Sequence, residues 1–399
     1  MDFGLHPHAS SFPLVDEAAA EPRWPLVVIV CDVCLLVQLS GELPGEPAFD
    51  GAPPWTMAQS LEIQARDLVQ AVLARLAGQT KDRMILEVAS HGNFLQVLFR
   101  EAGYESVILE APGPVATAAR SGGHDIVVGD LASPDQIHDL VGRVAVLVDH
   151  YALAHHPAPG DAVAGMASLL SPGGVAVLEF DSLLPSLGKG EFDGFRHGHF
   201  SYLSLLSLNS MLVRHGLVPF EATTHPVYGG VLRVFVRRAD DGVPPGPSVA
   251  SVLAAERRAG MDDIATYRRF ESAVARTCEG LRRLIDSERS AGGRVAAYGA
   301  PSRGNTLLNA CDIDTDRLEF TVDRSSWKQG RLLPGSHLPI RPPAALQEGI
   351  SLAVILTWDI AEEIADLLAE QAGPPLRTAV PFPEVKVLPR RSENADQVR

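Results

Sequence analysis

Two histidines separated by one residue stand in the segment 191–202, which reads EFDGFRHGHFSY. His197 and His199 are surrounded by aromatic residues, among them Tyr202. Histidine is the natural general base near neutral pH, because its ordinary pKa lies close to that range. Residue types alone leave two interpretations open. The segment carries a catalytic base, or it holds a metal-free structural pair packed among aromatic side chains.

A second histidine-rich segment, HYALAHHP, occupies residues 150–157, directly after the apolar run 144–148. If that run is a strand of a parallel sheet, the segment lies at the carboxyl edge, where ligands collect. Tyr151 and His155 are therefore candidate catalytic residues. The alternative for each histidine is a surface or helix-capping role.

The segment MILEVASHGNF, residues 84–94, has the pattern of a strand that runs into a turn of small residues and then a helix. Such a turn lets backbone N–H groups approach an adenosyl or phosphate ligand. The next strand ends at Glu110, which can accept hydrogen bonds from both ribose hydroxyls. The alternative is an ordinary β–turn–α unit without a ligand. The predicted cofactor-binding residues are Glu87, Ala89, Ser90, Gly92, Asn93, Phe94, Glu110 and Asp130.

A third candidate site begins at RVAAYGAPSRGNTLLNA, residues 294–310, where a glycine-containing turn opens a helix. Free N–H groups, the helix dipole and a guanidinium would together bind an anion. A basic stretch follows at 321–340, and in a chain of net charge −15 it predicts a diphosphate pocket. The alternative is a solvated loop. With Tyr202, the predicted substrate-binding residues are Tyr298, Gly299, Ser302, Arg303, Asn305, Asp323, Arg324, Lys328, Arg331 and His337.

Cys31 and Cys34 form a single CxxC, which is half of a typical zinc site. His6 and His8 could complete an unusual His2Cys2 set. Since no second CxxC exists, we favour a metal-free knuckle.

The elements that must position these residues alternate between helix and strand, which predicts an α/β fold with parallel sheets and crossover helices. Residues 1–58 form a short, proline-rich N-terminal region. Residues 59–240 form one α/β domain. Residues 241–399 form the C-terminal region, which begins with a Pro/Gly-rich break at 242–247. One or two long helices at 248–290 and a second α/β domain follow.

Composition excludes several classes of protein. The chain has 399 residues and is too acidic to grip a phosphate backbone, so we expect no nucleic-acid partner. Its apolar runs are too short to span a bilayer, and its N-terminus has no secretory pattern. Four cysteines do not suggest a disulfide framework. We expect a cytoplasmic protein that is a monomer or a small homo-oligomer.

Three stretches, EFDGFRHGHFSYLSL, YGAPSRGNTLLN and VDRSSWKQGRLLPGSHLPI, resemble the nucleotide-deoxysugar C3-methyltransferases of antibiotic sugar pathways. The likeness runs from GLHPHASSF to PFPEVKVL, nearly end to end. It implies a remnant of a small N-terminal zinc module, a Rossmann-like domain that binds S-adenosylmethionine (SAM), and a C-terminal α/β domain that binds the sugar nucleotide.

The resemblance also implies a reaction. A base removes the C3 proton of a TDP-4-keto-2,6-dideoxysugar, and the enolate carbon attacks the methyl group of SAM. His199 matches the family's proposed base. His155 matches a histidine that could polarise the ketone or hold the enolate oxygen.

The sequence departs from the family at several positions. The family's Tyr-His-Glu-His reads Arg196, His197, Gly198 and His199 here, so a hydroxyl and a carboxylate are missing, and Arg196 could stabilise an enolate instead. The SAM turn lacks its usual acid, and the first CxxC of the zinc module is absent. Two alternatives therefore remain: the mithramycin-type branch, which adds NADPH-dependent 4-ketoreduction, and a non-catalytic accessory protein.

Overall fold

The computed structural model describes residues 1–41, 59–76, 84–88, 95–227, 229–372 and 376–389. Within these ranges the chain forms three β-sheets with helices packed around them. The predicted cofactor residues Ala89, Ser90, Gly92, Asn93 and Phe94 lie outside the described residues.

The strands are β1 (Asp2–His6), β2 (Trp24–Val30), β3 (Val37–Leu39), β4 (Met84–Val88), β5 (Ser106–Glu110), β6 (Ile126–Val128), β7 (Val144–His150), β8 (Leu170–Asp181), β9 (Ser201–Tyr202), β10 (Leu217–His225), β11 (Val231–Arg238), β12 (Val295–Tyr298), β13 (Thr321–Val322), β14 (Ile340–Arg341), β15 (Leu352–Ile355), β16 (Arg377–Val380) and β17 (Lys386–Val387). The α-helices are α1 (Gln59–Leu76), α2 (Gln96–Glu101), α3 (Pro114–Ser121), α4 (Pro159–Leu169), α5 (Leu183–Lys189), α6 (Leu205–Arg214), α7 (Pro247–Arg258), α8 (Ile264–Ser290), α9 (Ser302–Ala310) and α10 (Ala361–Ala372).

The N-terminal sheet is antiparallel and has the order β1-β2-β3-β9. Leu26 and Val28 of β2 are buried while Ile29 is exposed, the alternation of a sheet with one face on a core. Its fourth strand, β9, comes from the central domain, and Tyr202 pairs with Val37. The histidine-rich loop before β9 is thereby fixed to the N-terminal region.

The central sheet has the order β10-β11-β8-β7-β4-β5-β6, and its strands β4 to β8 are parallel. All seven residues of β7 are buried, because helices cover both faces of a parallel sheet. The first strand of this sheet, β4, lies near its middle. The chain then runs outward through β5 and β6 before it crosses to β7 on the other side of β4. Ligands bind at the carboxyl edge of such a reversal point. The predicted Rossmann-like domain is confirmed.

One edge of this sheet differs from the parallel arrangement that the alternating pattern predicted. β10 and β11 form an antiparallel hairpin, and β11 also runs antiparallel to β8. The connection between the two strands is too short for a crossover helix, so only antiparallel pairing is possible. Gly229 and Gly230 in that connection have positive φ angles of 88° and 134°.

The C-terminal sheet has the order β14-β13-β12-β15-β16-β17, parallel except for β17. Its reversal point lies between β12 and β15, directly before α9. The long helical region predicted at 248–290 is two helices, α7 and α8. Both oxygens of Glu256 on α7 accept backbone N–H groups of Leu205 and Leu206, at 2.7 and 2.8 Å, so α7 caps α6 of the central domain.

No helix within the described ranges combines the length and apolar character needed to cross a bilayer.

Candidate functional site

Glu87, at the end of β4, is fully buried beneath the start of α2. Its Oε1 accepts the N–H of Leu95 at 2.5 Å, and its Oε2 accepts the N–H of Gln96 at 3.0 Å. Burial raises the pKa of Glu87 to about 8, although the two backbone hydrogen bonds oppose that rise. Both oxygens accept hydrogen bonds from the helix start, so this carboxyl group fixes the start of α2 against the end of β4.

Glu110 ends the neighbouring strand β5 and has an unused acceptor. Its Oε1 accepts the N–H of Ala111 at 3.1 Å, whereas its Oε2 is buried and has no hydrogen-bond partner among the described residues. Burial raises its pKa to about 7. A buried acceptor at this strand end fits a ligand hydroxyl. The contact of Glu110 with the SAM ribose stays a prediction.

Asp149 is a further acid at this edge, and the sequence reading missed it. It is the register partner of Val88 across the reversal point, and it is buried. Its Oδ1 accepts the N–H groups of Ala152 and Leu153, and burial raises its pKa to about 7. The available signal was an acid that follows an apolar strand, as at Glu110.

Asp130 is held by a neighbouring side chain. Its Oδ1 lies 2.8 Å from Nε2 of His156 and also accepts the N–H of Ala132. Its contact with the cofactor stays a prediction.

The segment after α5 brings Arg196 and His199 together. Nη2 of Arg196 donates to Nε2 of His199 at 2.6 Å. The Tyr202 hydroxyl accepts the N–H of Arg196 at 2.9 Å and donates to its carbonyl at 3.2 Å, so Tyr202 clamps the backbone of the loop. Burial lowers the pKa of Arg196 and raises that of Tyr202.

His155, a candidate catalytic residue from a different segment of the sequence, joins the same cluster. Its Nδ1 donates to the carbonyl of Gly198 at 2.6 Å, and its ring centroid lies 4.1 Å from that of His199 in an edge-to-face arrangement. The N–H of Phe200 donates to the carbonyl of Ala154, which ties the two segments together.

Tyr151 has a φ angle of 65°, an unusual value for a residue other than glycine. It directly follows β7, and its ring lies 4.7 Å from that of His150. Strained backbone of this kind clusters at functional sites. A catalytic role for Tyr151 stays a prediction.

His197 points away from this cluster. Its Nε2 donates to the carbonyl of Pro25 at 3.2 Å, and its ring packs edge-to-face on Trp24. Only 5% of the residue is exposed, and burial lowers its pKa. Of the two histidines in the segment, His199 therefore faces His155, and His197 packs the loop against the N-terminal sheet.

Arg303, at the start of α9, forms an ion pair with the central domain. Its Nη2 donates to Oδ1 of the fully buried Asp193 at 2.9 Å. Trp358 donates its indole N–H to the other oxygen at 2.7 Å, and the guanidinium lies over the indole ring. Burial disfavours the charged guanidinium and by itself would lower the pKa of Arg303. The attraction of the Asp193 carboxylate exceeds that effect, so the pKa is raised. The sequence reading identified Arg303 but missed Asp193 and Trp358.

Glu191 lies two residues before Asp193 and is also buried. Nζ of Lys189 lies 3.4 Å from its Oε1. Burial raises its pKa to about 7, and Lys189 offsets part of the rise.

Two side chains from the following loop fix the backbone of the predicted diphosphate turn. Nζ of Lys328 donates to the carbonyl of Ala300 at 2.7 Å, and Oδ2 of Asp323 accepts the N–H of Ala300 at 2.8 Å. Gly299 has a φ angle of 93°, Tyr298 before it is buried, and Arg324 is exposed.

The remaining predicted substrate residues contact the N-terminal region. Arg331 donates to the carbonyl of Phe12, and Nε2 of His337 lies 2.9 Å from the carboxylate of Glu21. Oγ of Ser302 lies 2.6 Å from Oγ of Ser10, and Asn305 donates to the carbonyl of Ala9 at 2.6 Å. The N-terminal region thus contacts the side chains of Ser302 and Asn305 in the first turn of α9.

Cys31 and Cys34 are free thiols at the turn between β2 and β3. Within the described part of the chain, no three metal-ligating side chains gather into a group that could hold an ion. His6 bonds instead to the carbonyl of Phe3 at 3.0 Å, and His8 lies beside Gly198. The proposed His2Cys2 set is therefore not assembled among these residues.

Comparison with known proteins identifies the family. Residues 226–383 match the family described as the C-methyltransferase C-terminal domain. The C-methyltransferase NovU of Streptomyces niveus is 31% identical over 382 residues, which cover 94% of this chain and 90% of that protein. The chain belongs to this C-methyltransferase family. The predicted SAM-dependent C-methyltransferase is thereby confirmed.

Solved structures resemble parts of this C-methyltransferase more distantly. Magnesium protoporphyrin IX methyltransferase from Synechocystis, solved with bound S-adenosylhomocysteine, is 14% identical to this chain, with a TM-score of 0.37. The match covers 47% of this chain and 90% of that chain. The Burkholderia thailandensis 1,6-didemethyltoxoflavin-N1-methyltransferase is 16% identical to this chain, with a TM-score of 0.32. The match covers 53% of this chain and 99% of that chain.

Proposed function

We propose that this C-methyltransferase methylates C3 of a TDP-4-keto-2,6-dideoxysugar through an enolate. The observation that carries the proposal is the cluster of His155, Arg196 and His199 described above. A carbon next to a ketone becomes nucleophilic only when a base takes its proton and a cation or donor stabilises the oxygen. An imidazole beside a guanidinium provides both functions.

His199 is the proposed base. The Nε2 lone pair accepts from Arg196, so it receives a proton only when the guanidinium moves. The 4-keto oxygen of the substrate offers Arg196 another acceptor. Transfer of the guanidinium to that oxygen releases Nε2, which takes the C3 proton while the electron pair of the C–H bond moves towards the oxygen.

S-adenosylmethionine supplies the electrophilic methyl group when it is bound. C3 then forms the new carbon–carbon bond as the bond between sulfur and the methyl group breaks, with S-adenosylhomocysteine as the leaving group. The ketone re-forms, and His199 returns its proton to solvent. We expect Glu110 to hold the ribose hydroxyls through its buried Oε2.

The nucleotide diphosphate is proposed to bind at the start of α9. The residue before that helix, Pro301, provides no side-chain cap for its first N–H groups. Ser302 and the exposed Arg324 add a hydroxyl and a positive charge. Helix N-termini bind phosphate groups through these N–H groups and the helix dipole.

The test is incubation of the purified chain with SAM and a TDP-4-keto-2,6-dideoxysugar, followed by mass spectrometry. The product should be heavier by one CH2 unit. His199→Ala should abolish the gain, and His138→Ala, which changes an exposed histidine, should not. No mass gain with the wild-type chain would refute the proposal.

A further inference from the structure

His8 reaches the catalytic loop from the N-terminal region. A Cβ atom built on Gly198 would lie 3.6 Å from Nε2 of His8. Gly198 has a φ angle of 86° and carries the carbonyl that accepts from His155. His8 therefore lies over the residue that connects the two histidines of the proposed site.

Contacts on its C-terminal side fix the position of His8. The carbonyl of Ala9 accepts from the buried Asn305, and Oγ of Ser10 is hydrogen-bonded to Oγ of Ser302. Both partners belong to α9. The imidazole is thus presented by a segment that is attached to the proposed nucleotide site.

The hydrogen bonds around the rings also indicate where the protons lie. The N–H of Ser10 donates to Nδ1 of His8 at 3.4 Å, so a neutral His8 carries its proton on Nε2, the atom facing Gly198. His155 has the opposite tautomer. Its Nδ1 donates to Gly198, so a neutral His155 has no proton on Nε2 to offer a ketone.

We propose that His8 is a further catalytic residue, which donates the Nε2 proton in a hydrogen bond to the substrate keto oxygen as negative charge develops there. This inference rests on the proposed function. The proton stays on His8 throughout, and the hydrogen bond strengthens as the enolate forms. His8 and Arg196 would then be the two donors to one oxygen, and His155 would be a positioning residue for Gly198.

The test uses three variants of the full chain. His8→Ala removes the donor and should lower kcat by about 100-fold, the effect of losing one preorganised donor to an oxyanion. His8→Gln carries an amide N–H near the Nε2 position and should recover part of that loss. His8→Asn carries its N–H nearer the Nδ1 position and should not. The Kd for S-adenosylhomocysteine should stay at the wild-type value in all three.

A second readout separates proton removal from methyl transfer. In D2O with S-adenosylhomocysteine in place of SAM, the wild-type chain should exchange the C3 proton of the keto-sugar, and His8→Ala should exchange it about 100-fold more slowly. Wild-type kcat in His8→Ala, or equal losses in His8→Gln and His8→Asn, would overturn the role of His8 and leave the proposed function standing. A wild-type chain that neither exchanges nor methylates would overturn the proposed function, and this inference with it.

Discussion

Arg196 and His199 share one hydrogen bond, from Nη2 to Nε2 at 2.6 Å. A guanidinium has no acceptor, so the lone pair of His199 must lie on Nε2 and the proton of the neutral ring on Nδ1. The proposed base is therefore neutral and covered by a cation before substrate binds. This arrangement links proton removal to the movement of Arg196 onto the substrate oxygen.

Arg196→Met is expected to lower kcat by about 10²- to 10³-fold, because the oxygen loses a charged donor while charge develops on it. The KM for SAM should change little. Steady-state kinetics of methyl transfer, with Arg214→Met at the exposed end of α6 as the control, provide the measurement. A variant with wild-type kcat would show that the guanidinium only covers His199.

Asp193→Asn is expected to lower the free energy of unfolding by about 3 kcal/mol, since it leaves the largely buried guanidinium of Arg303 without a charged partner. Urea unfolding followed by fluorescence gives the shift in midpoint. Asp240→Asn is the matched control, because its ion pair with Arg238 is exposed and should leave the midpoint unchanged. Equal midpoints for the two variants would contradict the structural role of Asp193.

The sequence was informative where one local pattern determines one element. The run at 144–148 predicted β7 because a strand buried on both faces is continuously apolar. The alternating pattern of helices and strands did not predict the β10–β11 hairpin, since strand direction depends on the length and path of the connection. The sequence predicted one or two long amphipathic helices at 248–290, and the structure has two, α7 and α8. Attachment of α7 to the central domain depends on Glu256, whose role is visible only in three dimensions.

The candidate site, like the fold, was predicted only in part from the sequence. His155 and His199 are 44 positions apart in sequence. The family resemblance implied one site for both, and their ring centroids lie 4.1 Å apart in the structure. Asp193 was not identified as a site residue, and His8 was considered only as a metal ligand, because their partners come from other parts of the chain. Packing between domains leaves no periodic signal in a single sequence.

Binding of S-adenosylhomocysteine should depend on pH through Glu110. Burial raises the pKa of Glu110 to about 7, and two ribose hydroxyls are accepted best by the ionised carboxylate. Affinity should therefore rise as pH increases through that value. Calorimetric titrations on either side of the pKa measure the effect, and Glu110→Gln should give a weaker and flatter profile. A wild-type profile that is already flat would remove Glu110 from the ribose site.

Folding stability should depend on pH through Glu191. Its pKa rises from 4.5 in the unfolded chain to about 7 when folded, so the folded state binds the extra proton between these values. The contribution of Glu191 to stability is then fully present below pH 4.5 and is lost as pH rises towards 7. Glu191→Gln should remove up to about 3 kcal/mol of that fall. Parallel wild-type and variant curves of unfolding free energy against pH would contradict this assignment.

In the proposed reaction the methyl group is attached to carbon rather than to a hydroxyl oxygen, and His199 removes the proton that the methyl group replaces. The most direct test is NMR of the product formed from a TDP-4-keto-2,6-dideoxysugar and SAM with an isotopically labelled methyl group. We expect a labelled methyl on C3, loss of the original C3 proton, and no labelled product with His199→Ala. A label on a sugar oxygen, or C3-methylated product formed by His199→Ala at the wild-type rate, would contradict it.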